Sequence, residues 1–251
     1  MTDLILALDQ GTTSSRSILF TEKAEIRAVA SEPLECRYPD SGWVEQDAEA
    51  IWETQRSTIV KVLDQAGIGL SEVSAIGITN QRESTIAWNR ETGEALCPAI
   101  NWQCRRTAGF CDELKEEGFD ELIRNRTGLV TDPYFSGTKM HWILQNVPEA
   151  ANLARLGKLC FGTVDSWLIW KLSGGTTHAI EISNASRTLV FDIQKCEWDS
   201  EILSRFGIPP ESLPEVVPSS GVIAEVDESL FGGSAPIAGA AGDQQAALFG
   251  Q

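Results

Sequence analysis

The first sixteen residues constrain this chain more than any other stretch. Leu4-Ile5-Leu6-Ala7-Leu8 runs unbroken into Asp9, and Gln10 and Gly11 follow. Four hydroxyl residues, Thr12-Thr13-Ser14-Ser15, then lead through Arg16 to a second apolar run, Ile18-Leu19-Phe20. An apolar run broken by a glycine and resumed within a few residues reads as strand, tight turn, strand. Gly11 lets the backbone bend where a side chain would clash. Successive backbone N–H groups and hydroxyls in such a turn can form a nest for an anion. Asp9, at the end of the first strand, can hold a divalent cation through water, since magnesium keeps much of its hydration shell. Alone, the segment is better read as an ordinary polar hairpin, and the rest of the chain must decide.

At 251 residues the chain has room for one large domain or two small ones. With 42% hydrophobic and 22% charged residues it can bury a core. The net charge of −16 argues against non-specific binding to nucleic acid or to anionic membranes. Phosphate binding stays open, because local N–H groups and an arginine outweigh net charge at short range. Thr2-Asp3 stands where a signal peptide would be basic, and no apolar run reaches the length of a membrane span. The six cysteines, Cys36, Cys97, Cys104, Cys111, Cys160 and Cys196, form no Cys-x-x-Cys pair. That pattern reads as reduced thiols in a cytoplasmic protein, neither a disulfide framework nor a zinc site. His141 and His178 are the only histidines, so a histidine-based metal site is not expected.

Further along, Glu25–Ala30 reads as a third strand, giving an antiparallel meander. Asp47 is placed to cap a helix over Ala48–Ala66, with Gly67 as its stop. Val73–Thr79 is the next strand and returns to the sheet. It ends in Asn80-Gln81-Arg82-Glu83, and polar residues at the carboxyl end of a buried strand commonly line a ligand crevice in α/β sheets. Thr85–Trp88 is a further strand. Trp102 precedes Arg105 and Arg106 at the entry of a helix near Thr107–Glu116. A core tryptophan with solvated arginines and a binding site are equally good readings of that group. Glu121–Arg126 reads as a short helix, Asp132–Lys139 as a structured loop, and Met140–Asn146 as an amphipathic helix ending at Pro148. Phe161–Leu172 reads as one buried helix with core tryptophans. Thr177–Ser183 and Thr188–Phe191 read as strands around Asn184–Arg187, and Ile208–Ser220 as a proline-punctuated connector with a short helix. Finally, Pro236–Gly239 is a strand, Gly242 a turn, Asp243 an N-cap, and Gln244–Phe249 the start of a helix. A plain cap explains Asp243 by itself. Paired with Asp9, it suggests two acids facing a phosphate, one near a metal and one able to accept a hydroxyl proton.

Five stretches together carry a resemblance: Asp9–Arg16, Asn80–Glu83, Trp102–Ala108, Asp132–Lys139 and Gly242–Gln251. In this order they resemble the glycerol kinases of the FGGY carbohydrate-kinase family, along the whole chain. The resemblance implies an α/β architecture of the RNase H-like, actin-like ATPase fold: a mixed sheet that starts with an antiparallel meander and carries flanking helices. It implies that residues 1–251 form the N-terminal FGGY kinase domain, with inserted segments around residues 100–190. It also implies ATP-dependent phosphorylation of glycerol to sn-glycerol 3-phosphate, with ATP and Mg²⁺ as cofactors.

By the same resemblance Arg82 and Glu83 bind glycerol hydroxyls, Trp102 and Tyr134 pack on its carbon chain, and Gln244 contacts it. Asp243 takes the proton of the attacking hydroxyl. Thr12, Thr13, Ser14 and Arg16 contact the nucleotide phosphates, and Asp9 and Asp243 sit around the metal. The family's C-terminal domain is absent from this chain, so the expectation is weak glycerol binding and essentially no turnover by the chain alone. Relatives form dimers or tetramers, so a homo-oligomer is expected of the whole enzyme. Many bacterial relatives carry an arginine in the glycine-rich loop that binds fructose 1,6-bisphosphate. Here Phe231-Gly232-Gly233-Ser234-Ala235-Pro236 has no basic residue, and no histidine follows His178. Regulation by that sugar phosphate or by histidine phosphorylation is therefore not expected. The alternatives are another FGGY polyol or sugar kinase, and a non-catalytic actin-like binding module.

Overall fold

The computed structural model describes residues 3–251. Its centre is a six-stranded mixed sheet. The opening meander forms as expected: Leu4–Gln10 pairs antiparallel with Ser14–Thr21, which pairs antiparallel with Ile26–Pro33. On its other side Leu4–Gln10 pairs parallel with Ala75–Asn80, and Ala75–Asn80 pairs parallel with Pro236–Gly242. Ser220–Glu225 forms the far edge, antiparallel to Pro236–Gly242. The register sets Gln10, Asn80 and Gly242 side by side, so three parallel strands end on one line. Ligand crevices of open α/β sheets lie just beyond such ends.

Alternation along the first strand decides which side chains are available there. Leu4, Leu6 and Leu8 enter one apolar core with Ile51, Ile59 and Val62 of helix Ala48–Ala66 and Val164 and Leu168 of helix Val164–Leu172. Asp9 points the opposite way from Leu8 and Gln10 and is partly exposed. Helix Ala48–Ala66 forms with its expected ends: the Asp47 carboxylate accepts the N–H groups of Glu49 and Ala50, and Gly67 turns left-handed at φ 67°. Its polar stripe faces the meander. The Thr54 and Ser15 hydroxyls meet at 2.8 Å, as do those of Thr58 and Ser17, and Gln55 Nε2 donates to the Arg16 carbonyl. Two hydroxyls of the second strand are thus spent inward.

A second apolar cluster, including Ile100, Leu114, Ile123, Met140, Ile143, Phe161 and Phe206, lies outside the central sheet. Here several expectations are corrected. Helix Ser136–Asn146 begins within the expected loop, because Gly137 docks its N–H on the Thr188 carbonyl at 2.6 Å, where a Cβ would clash. Phe161 and Gly162 belong to strand Leu159–Gly162, antiparallel to Ile86–Asn89, and the helix starts only at Val164. Helix Ser136–Asn146 ends before Pro148 as expected, and Pro148 also opens a further helix, Pro148–Arg155, where its missing N–H costs no hydrogen bond. The strand expected over Thr177–Ser183 is confined to Ala179–Glu181. Ile182–Ala185 is one helical turn, because the Glu181 carboxylate caps it through the Asn184 N–H. Of the next expected strand, Thr188–Phe191, only Phe191 is extended, in the two-residue strand Phe191–Asp192. The connector carries, besides its short helix, a strand over Glu215–Val217. Helix Ser200–Phe206, capped by Asp199, and edge strand Ser220–Glu225 were not foreseen. Among the described residues no helix is long and apolar enough to cross a membrane.

Candidate active site

Beyond the ends of the three parallel strands lies a cavity of about 110 Å³. It is lined by Arg82, Glu83, Trp102, Tyr134, Asp243 and Gln244, together with Thr12 and Gln81. All six residues expected to meet a polyol therefore share one hollow, although they lie on four separate stretches of chain. The Trp102 and Tyr134 rings meet edge to face at 5.5 Å and form its apolar wall.

Arg82 and Glu83 occupy the turn after strand Ala75–Asn80, and both are buried. Glu83 is left-handed at φ 59°, a conformation that costs energy for a residue with a side chain. Three donors hold its carbonyl there: Lys139 Nζ at 3.0 Å, Ser136 Oγ at 3.1 Å and Thr85 Oγ1 at 3.2 Å. Lys139 also donates to the Tyr134 carbonyl at 2.6 Å, so one fully buried ammonium ties the two cavity loops together. Burial pushes its pKa down to about 7, with the Glu83 carboxylate opposing that shift. The Glu83 carboxylate accepts from Arg187 Nε at 2.6 Å. Burial raises the Glu83 pKa, and Arg187, Arg82 and Lys139 only partly offset it.

Arg82 reaches across to Asp243, its Nε 3.2 Å from Oδ1. Asp243 is not the N-cap. The strand continues to Gly242, which occupies that position, and Asp243 is the first helical residue. Its carboxylate turns to Arg82 and the Gln244 N–H instead of the later amides of the first turn. Asp9 lies on the next strand but one and feels the Asp243 charge. Burial raises its pKa most, Asp243 adds to this, and the cross-strand partner Arg16 opposes it.

The hydroxyl turn is built with its carbonyls inward. The Thr12 carbonyl accepts from Gln46 Nε2, that of Thr13 from the Leu34 N–H, and that of Ser14 from the Gly11 N–H. A trans peptide turns the Thr13 and Ser14 N–H groups away from the carbonyls that precede them. Thr13 and Arg16 are exposed beside them. Thr12 differs from its neighbours: its hydroxyl accepts from the Trp102 indole at 2.9 Å and joins the cavity wall. Trp102 is thus a cavity residue. Arg106 is neither solvated nor in the cavity, since it lies between Trp43 and Trp142 and pairs with Glu45 at 2.6 Å.

Gln81, Lys139 and Arg187 were given no role from the sequence, nor were the buried amides Gln46 and Asn101. Gln81 Nε2 donates to the side chains of Gln10 and Gln46, while Asn101 Nδ2 donates to those of Gln46 and Gln81. Their one visible signal was position, since Gln81 and Lys139 both fall within the stretches that drew attention.

A sequence profile for the N-terminal domain of the FGGY family of carbohydrate kinases matches residues 4–250. The chain belongs to the FGGY carbohydrate-kinase family. As an FGGY N-terminal domain it is 54% identical over 248 residues to the glycerol kinase of Carboxydothermus hydrogenoformans, covering 98% of this chain and 50% of that one. It is 55% identical over 251 residues to glycerol kinase 1 of Clostridium tetani, covering 100% of this chain and 50% of that one. The chain spans about half the length of the curated relatives it matches. The Plasmodium falciparum glycerol kinase crystallised with ADP superimposes with a TM-score of 0.92 at 31% identity, covering 99% of this chain and 50% of that one. The ligand-bound xylulose kinase of Lactobacillus acidophilus gives 0.88 at 20% identity, over 99% of this chain and 50% of that one, a likeness of fold. The FGGY domain's mixed sheet and meander therefore have the actin-like ATPase architecture expected of them.

Proposed function

We propose that this domain is the polyol-binding and phosphate-binding half of a glycerol kinase, which transfers the γ-phosphoryl group of ATP to a glycerol hydroxyl. The observation that carries this reading is the convergence of Arg82, Glu83, Trp102, Tyr134, Asp243 and Gln244 on one small hollow beside the hydroxyl turn. Glycerol offers three hydroxyls on a short carbon chain, and the hollow offers a cation, two carboxyl groups, two amides and an aromatic wall. Arg82 and Glu83 orient the hydroxyls, with opposite charges that limit the cost of burying either. Trp102 and Tyr134 cover the carbons and exclude water. The Asp243 carboxylate, half exposed and steadied by Arg82, faces the cavity and receives the proton of the attacking hydroxyl. Phosphoryl transfer runs through a loose transition state, so positioning and electrostatics supply most of the catalysis and the proton moves late. Thr13 and Ser14, through hydroxyls and backbone N–H groups, and Arg16 hold the phosphates. Thr12 bridges the phosphate and polyol sides.

The donor set fits Mg²⁺. Asp9 and Asp243 are two carboxylates close enough to raise the Asp9 pKa, and among the described residues no cluster of three or more potential ligands surrounds them. Magnesium favours such a site, with one or two carboxylates, retained waters and phosphate oxygens. When bound it neutralises phosphate charge, and the chain's own part is to supply Asp9 and Asp243.

Residues 1–251 are proposed as one N-terminal lobe whose inserted segments, around 100–190, form much of the second apolar cluster and bring Trp102 and Tyr134 to the hollow. The relatives' second half completes the nucleotide site, so the chain alone is expected to bind glycerol weakly and turn over essentially none. The whole enzyme is expected to ignore fructose 1,6-bisphosphate, since the loop 231–236 offers no cation to a phosphate. Joining the chain to the C-terminal half of the Carboxydothermus hydrogenoformans relative tests the reading. Glycerol-dependent ADP formation at about 1–100 s⁻¹ is expected. Preference for a five-carbon sugar or a sugar acid in the same assay would replace glycerol by another FGGY substrate.

A further inference from the structure

The turn Ile182–Ala185 contributes nothing to the cavity wall, yet it reaches the residue next to Asp243. The Gly242 N–H donates to Ser183 Oγ at 3.0 Å, and that hydroxyl donates to Glu181 Oε2 at 2.6 Å. A hydroxyl has one proton. With it committed to Glu181, the Ser183 lone pairs are left to receive Gly242, and the chain of bonds has a single direction. The Glu181 carboxyl is fully buried and is itself held by four donors: Ser183 Oγ, the Asn184 N–H at 3.1 Å, Asn184 Nδ2 at 3.2 Å and Ser219 Oγ at 2.5 Å. The same turn is pinned to the central sheet, because Asn80 Nδ2 donates to Asn184 Oδ1 at 2.9 Å.

The opposite side of Gly242 is closed by Arg82. A Cβ at Gly242 would lie 2.4 Å from Arg82 Cδ and 2.9 Å from its Cγ. The strand-to-helix bend is thus gripped by Ser183 on its N–H and by the Arg82 methylenes on its α-carbon. Asp243 is the next residue, and among the described residues its carboxylate has only the Arg82 Nε and the Gln244 N–H to steer it.

We infer that Ser183, backed by Glu181, is a positioning residue that aims the Asp243 carboxylate at the reacting hydroxyl. The inference rests on the proposed role of Asp243 as proton acceptor. Ser183 does not line the cavity, so its loss should act on the aim of Asp243 and not on ground-state binding. Small misplacements of a reacting group are enough to cost about 10²-fold in rate.

The test compares wild type, Ser183→Ala and Ser183→Thr in the protein joined to the relative's C-terminal half. It also compares the amide exchange of Gly242 in the 251-residue chain itself. For Ser183→Ala we expect kcat to fall by about 10²-fold with KM for glycerol within twofold, and Gly242 to exchange faster than its neighbours. Ser183→Thr, which keeps the hydroxyl, should restore both. An unchanged kcat, a KM that rises in step with the loss of rate, or unchanged Gly242 exchange would each overturn the inference. An inactive wild-type fusion would overturn the kinase reading and the kinetic half with it. The exchange measurement on the chain would then still decide whether Ser183 holds the bend.

Discussion

Arg82 Nε lies 3.2 Å from Asp243 Oδ1, joining side chains 161 positions apart in sequence. The pair exists because the strands that precede both residues run parallel and end in register, Asn80 opposite Gly242. It joins the residue proposed to orient the polyol to the one proposed to take its proton. Replacing Asp243 by Asn keeps the shape and a partner for Arg82 but removes the proton acceptor. In the fused enzyme kcat should drop by about 10²–10⁴-fold while glycerol KM changes little. Steady-state kinetics with near-normal turnover would rule out that role.

Gly242→Ala tests the close approach behind this pair. Gly242 has φ −56° and ψ 149°, angles that alanine adopts freely, so the backbone alone predicts no penalty. The Cβ, however, would sit 2.4 Å from Arg82 Cδ. Glycerol affinity should fall about tenfold as Arg82 is displaced. Adding Arg82→Ala should cost little more, giving a strongly non-additive double-mutant cycle. Additive losses measured by calorimetry would contradict the steric account.

Arg187→Gln removes the close ion-pair partner of Glu83 and leaves a buried carboxyl without its nearest cation. Glu83 is an acid whose folded pKa already lies above its ordinary value, chiefly through burial. Its contribution to stability is therefore fullest below the ordinary glutamate range and is lost as pH rises through the folded value. Without Arg187 that folded value moves further up. The variant's deficit in denaturant unfolding should be larger at pH 8 than at pH 5, and a deficit equal at both would sink this account.

Lys139→Met concerns the opposite sign. The folded pKa of Lys139 is depressed to about 7, so between that pH and the ordinary lysine value the unfolded chain binds the extra proton. Wild-type stability from this group therefore rises with pH across that window, and below it the folded state carries the full cost of a buried ammonium. Methionine has no such dependence. The variant should compare most favourably with wild type near pH 6 and lose ground toward pH 9. Glycerol binding should weaken at both, because the Glu83 and Tyr134 carbonyls lose their shared donor. Urea titrations at the two pH values, with glycerol calorimetry, provide the check.

Local signals were legible wherever short-range physics decides the outcome. The meander, the Asp47 cap and the Gly67 stop depend on alternation, one carboxylate and one left-handed glycine, and all formed as read. The six residues proposed to meet a polyol were legible through their family resemblance, and the fold brings them to one hollow. What the sequence could not show was contact between distant segments. Gly137 reads as a loop residue until the Thr188 carbonyl is seen to receive its N–H. Phe161 reads as helical until Ala87 pairs with it across two strands. Asp243 reads as a cap until Arg82 competes for its carboxylate. Nothing local to Lys139, Arg187 or Ser183 names its partner, because a hydrogen bond to a remote carbonyl, carboxylate or amide leaves no periodicity behind. The sequence by itself determined the sheet's opening strands, the main helix and the chemical types brought to the site. Only the tertiary structure decided which of those groups meet and which buried partners aim them, since those energies come from contacts more than 50 residues apart, such as Lys139 with Glu83 and Ser183 with Gly242.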